Sequence, residues 1–201
     1  QALSLYSSLG DQSAMQKARD RFKNLGASPK ETAEVDYIIA SSDLKKWDEY
    51  SPDTGANATA RKNAQNSMMN YYDANRKKPE AAQFVVHAAY NVAKTKSASD
   101  AGDTNKWWKA TMDAFDAYKK VAPAKDGKNS AIGSPEASMA AQGEYTMLDQ
   151  EITKKFDYES GHHRFKGTPV QVIEAYRKQA GVAKQWYDKL HLFPAEGGKP
   201  R

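Results

Sequence analysis

The sequence predicts an all-α protein built from stacked helical hairpins, and three observations carry that expectation. Alternating β-branched runs bounded by tight-turn dipeptides are nearly absent, which removes the usual strand signal. Helical periodicity recurs along the chain, with capped starts. A fixed spacing of a small residue, an aromatic and a proline returns four times.

Taken in order, the first helical stretch runs to about Leu25 and is broken around Leu9-Gly10-Asp11. "SPKETAEVDYIIASS" follows, with Ser28 as N-cap, Pro29 in the first turn and Glu31 at N3, the arrangement of a capping box. Further helices are expected over about 57–77, 79–95, 104–121, 134–158 and 168–191. "KPEAAQ" and "SPEASM" both place Pro and Glu in a first turn. There the missing N–H costs nothing and the carboxylate meets the positive end of the helix dipole. The connections after Leu25 and Lys77 are tight and centred on proline, whereas 123–133 reads as an expanded, mobile link. Those after Ser41, Lys94 and Tyr158 are long and polar, well beyond the median loop of about 4 to 6 residues, and read as insertions.

The repeated spacing is most complete at Thr111, Phe115, Tyr118 and Pro123. Ser67, Tyr71, Ala74 and Pro79 have the same intervals. Ala18, Phe22, Leu25, Pro29 and Ala183, Tyr187, Leu190, Pro194 share a form one residue shorter. Each set closes an expected helix. The small residue lets helices approach, the aromatic fills the gap between them, and the proline ends one helix and begins the next unit.

That small–xxx–aromatic–xx–Ala/Leu–Pro pattern resembles the second helix of a tetratricopeptide repeat. Residues 3–29, with the Gly10-Asp11 turn, are the most similar stretch, and "AAQFVVHAAYNVAKT" at 81–95 resembles a first helix with Ala88 and Ala89 at its small positions. The aromatic positions recur at 49, 44 and then 72 residues, against about 34 in the standard repeat. The long inserts account for the excess. The resemblance implies a right-handed superhelical stack, a TPR-like α-solenoid with long inter-helix inserts. Its single domain covers 1–194, with hairpins at about 1–28, 29–78, 79–122 and 134–192, and 195–201 form a flexible tail. Only "QALSLYSSL" precedes the first turn, which implies further repeats upstream of residue 1.

Adjacent tryptophans Trp107 and Trp108 point about 100° apart on a helix, so one stripe cannot bury both. Trp108, Thr111, Phe115 and Tyr118 make one stripe, and Trp107, Ala110, Ala114, Ala117 and Val121 make its neighbour. Packing the two stripes on separate helices explains the pair without a ligand. Ala137, Ala141, Tyr145, Leu148, Ile152 and Phe156 read as a core stripe on the long helix from 134.

Composition narrows the function classes. There are 31 Ala against 8 Leu, so close helix packing through small residues is expected, with aromatics filling the remaining volume. Cysteine is absent, which excludes disulfides and thiolate metal sites. No apolar run nears the roughly 20 residues of a membrane span. The net charge of +5 is mild, and no basic stripe interleaves with aromatics, so nucleic acid is not an expected partner. The adjacent His162 and His163 lack a carboxylate at helical spacing, and no phosphate-binding loop, nucleophile elbow or HExxH motif occurs. No catalytic residue, metal ligand or cofactor is expected.

The positive signal is for protein binding. Helical hairpin arrays present their first helices as an extended surface. Gln83, His87, Asn91 and Lys94 share one face of the helix at 79–95, and Gln142, Asp149 and Thr153 lie on that from 134. Trp47 and Tyr50, in the insert "SDLKKWDEYSPDTGAN", are the other candidates, and they could instead cover a helix pair. The expectation is a non-catalytic scaffold that binds other proteins. Its Ala-rich, expanded units are similar to repeat lipoproteins of bacterial envelope complexes, including gliding-motility and outer-membrane assembly components. That similarity implies a periplasmic location, with the cytoplasm as the alternative, and attachment to the envelope through an upstream part. A polysaccharide-binding or polysaccharide-active helical domain, using Trp47, Tyr50 and Asp53, is the competing reading.

Overall fold

The computed structural model describes residues 11–97, 104–125, 128–155, 158–159, 164–165 and 167–189. The fold is all-α, with seven α-helices among the described residues: α1 Gln12–Asn24, α2 Pro29–Ala40, α3 Gly55–Asn75, α4 Ala82–Ser97, α5 Thr104–Val121, α6 Pro135–Lys155 and α7 Pro169–Lys189. Short 3-10 turns at Ser41–Lys46 and Pro79–Ala81 follow α2 and precede α4. Contacts cluster into two compact units, Gln1–Val121 and Ala122–Arg201, where the sequence reading drew one domain over 1–194.

Local chemistry sets the helix starts. Asp11 caps α1 by accepting from the Ala14 amide at 2.9 Å. Ser28 and Glu31 form the expected capping box: the Ser28 amide donates to Glu31 Oε2 at 2.8 Å and the Glu31 amide to Ser28 Oγ at 3.3 Å. The Ser28 hydroxyl, which donates to Glu31 Oε2 at 2.7 Å, and then the Ser28 amide hold the Glu31 carboxyl below its usual range. Thr168 and Gln171 repeat the reciprocal cap at α7, and the Ala137 amide donates to Ser134 Oγ at 3.3 Å at α6.

In the first unit, α4 is the central helix and packs extensively on both α3 and α5. Its inward side is nearly all small or β-branched: Val85, Val86, Ala88, Ala89, Val92 and Ala93 are buried. The small residues let the helix axes approach while neighbouring aromatics fill the intervals. Trp107 meets Tyr72 of α3 edge-on, with centroids 5.2 Å apart, and Trp108 meets Tyr90 of α4 at 5.8 Å. The tryptophan pair therefore serves two partner helices, as the 100° offset requires. Tyr71 donates from its hydroxyl to the Ala33 carbonyl at 2.9 Å, joining α3 to α2, and Arg19 donates from Nε and Nη2 to the two oxygens of Asp36, joining α1 to α2.

Several repeat positions depart from the expectation. Tyr118 is 9% exposed, but Leu25 is 77% exposed and Ala74 also faces solvent. Among the described residues the third position of the spacing is buried only in α5. Ala117 and Val121 are exposed as well, so the second α5 stripe is buried only towards its N-terminal end. Leu190 and Pro194 lie outside the described residues, as does the side chain of Tyr187.

In the second unit, α6 packs on α7. The closing contact is Ile152 with Val172, flanked by Ala175, and the Gln179 amide donates to Asp149 at 3.0 Å. The expected α6 core stripe holds at Ala137 and Ile152. It fails at Tyr145, which is 43% exposed, because α7 covers only part of that face; Phe156 lies outside the described residues. Among the described residues strand is limited to two short antiparallel ladders, Ala124–Lys125 with Lys128–Asn129 and Tyr158–Glu159 with Arg164–Phe165. The expanded link at 123–133 thus contains a hairpin, with Asp126-Gly127 between its strands. Asp-Gly is the dipeptide that favours a two-residue hairpin turn.

Candidate functional site

The insert between α2 and α3 is a fastened loop. After the 3-10 turn, residues 47–54 wrap around the side chain of Asn57, from the first turns of α3. Its amide nitrogen donates to the carbonyls of Asp48 at 2.9 Å and of Ser51 and Pro52 at 3.2 Å, while its oxygen accepts from the Asp48 amide at 2.9 Å. Asp48 in turn accepts from Ser51 Oγ at 2.5 Å and from the Tyr50 amide at 3.0 Å, bonds that keep its carboxyl below the usual range. Asparagine suits the centre of this loop because its amide offers donor and acceptor together.

Two ion pairs tie the loop to the helices. Arg61, only 6% exposed, donates to Asp53 at 2.8 Å and reaches the Thr95 carbonyl at 3.5 Å, so one guanidinium joins insert, α3 and α4. Lys94 of α4 pairs with Glu49. The Lys94 hydrogen bond, followed by one from the Tyr50 hydroxyl, holds the Glu49 carboxyl below its usual range. The same hydrogen bond raises the Tyr50 hydroxyl. Tyr50 is 90% exposed, so its ring projects into solvent from a loop whose backbone and hydroxyl are both held.

Within the first unit the candidate residues fall into two groups. Lys94 and Tyr50, 44 positions apart in sequence, meet through Glu49. His87 and Asn91 turn towards Tyr37 of α2: the His87 ring lies 5.7 Å from it, and the Asn91 amide donates to its hydroxyl at 3.2 Å. Phe84 stacks on the same ring at 5.7 Å, and burial pushes the Tyr37 hydroxyl up to about 12. The middle of the expected α4 surface is therefore an internal contact with α2. Gln83 is half-buried on that helix and also engaged. Gln142 and Asp149 are exposed on α6, where Asp149 accepts the Gln179 bond, and the Thr153 side chain lies outside the described residues.

Of the polysaccharide cluster, Asp53 is paired with Arg61 and Trp47 is half-buried, leaving Tyr50 as its exposed ring. His162 and His163 lie outside the described residues, among which no group of three or more His, Asp or Glu side chains could hold a metal. No helix among those residues is long and apolar enough to cross a membrane. Sequence reading missed Asn57 and Glu49, the two side chains that organise the loop. Asn57 sits within a run of small polar residues, and nothing in one dimension links Glu49 to a lysine 45 positions later. No family model, curated protein or solved structure matches the chain.

Proposed function

We propose that the protein is a non-catalytic scaffold that binds other proteins, and that the insert at 47–54, rather than the α4 face, is its principal contact surface. The observation supporting this is the posture of Tyr50, an exposed aromatic on a loop fastened by Asn57, Arg61 and Lys94. Tyrosine supplies large contact area at low entropic cost, and a loop already held in place loses little further freedom on binding. The α4 face is less suited, because His87 and Asn91 are already occupied by Tyr37. The proposal extends to a right-handed superhelical stack and to membership of a larger bacterial envelope or motility assembly, with a periplasmic site of action.

The test is capture of partners from the source organism, followed by titration of the captured protein with wild type and Tyr50→Ala at low salt and at about 0.3 M, where the Debye length is roughly 5 to 6 Å. Hot-spot truncation costs about 2 kcal/mol or more, so Tyr50→Ala should weaken binding by roughly thirtyfold. A partner bound equally well by Tyr50→Ala would remove the insert from the site. Tight, salt-resistant, sequence-selective binding to an oligonucleotide would sink the scaffold itself. Fractionation of the tagged full-length protein tests the location.

A further inference from the structure

We draw no further inference here: the strongest candidate, the exposed apolar face of α7 formed by Val170, Ile173 and Tyr176, carries none because nothing in the structure shows what covers it.

Discussion

Helices α5 and α7 carry similar sequence texture and have different fates. Both are long, rich in alanine, and end on the same small–aromatic spacing. In α5, Trp107, Trp108, Thr111, Ala114, Phe115 and Tyr118 are all buried, on two sides of the helix. In α7 only Val172 and Gln179 are buried among the described side chains, while Val170, Ile173 and Tyr176 are 64%, 51% and 41% exposed. The cause is the number of neighbours. Helix α5 packs closely on α4 and its Trp107 reaches α3, whereas within its unit α7 has α6. A helix with two apolar stripes needs two partners, and the pattern along one chain does not say whether both will be present.

The largest test of this contrast is truncation in α5. Phe115→Ala removes a ring 3% exposed and should cost about 3 to 5 kcal/mol in a denaturant titration. Ile173→Ala in α7, at a side chain half exposed, should change stability by less than about 1 kcal/mol. If the two midpoints shift alike, α7 has a second partner that the contrast denies it. Amide exchange sharpens the same point, since protection should be deepest in α4 and α5 and shallower in α7.

A middle effect is expected at the insert. Arg61→Met leaves Asp53 and the Thr95 carbonyl without their donor and should cost about 1 to 3 kcal/mol. Ser28→Ala, which removes half a capping box, should cost about 1 kcal/mol. Both measurements compare loop and cap fastenings with the core. Leu25→Ala should be smallest, within about 0.5 kcal/mol of the parent, because the side chain is 77% exposed. A loss comparable to Phe115→Ala would restore the repeat equivalence that exposure denies.

Acid gives a separate reading of the fastenings. Glu31, Asp48 and Glu49 all have carboxyls held below their ordinary range in the folded protein. Their contribution is therefore complete above the unfolded carboxylate pKa and is lost as pH falls through the depressed folded values. Lowering the pH below about 4 should loosen the Lys94–Glu49–Tyr50 arrangement before the α4–α5 core melts. Tyrosine fluorescence compared with far-UV circular dichroism would separate the two events. Coincident transitions would show that the insert has no independent fastening.

Much of the fold was legible in one dimension because it depends on near neighbours. The Ser28–Glu31 box, the Pro-led helix starts, the 104–121 helix and the two-sided burial of Trp107 and Trp108 follow from spacings within one or two helical turns. The pairing of Ala124–Lys125 with Lys128–Asn129 was not read, because strands two residues long carry no alternating pattern. Tertiary structure alone decided which apolar stripes are covered, so Leu25, Tyr145 and Val121 could not be distinguished from Tyr118 by pattern. It also decided the candidate site. Lys94 and Tyr50 become one unit only through Glu49, and His87 and Asn91 become internal only because Tyr37 of α2 lies across α4. Helix formation is local and its signals lie within a few residues, whereas burial and charge pairing depend on which distant segments come together.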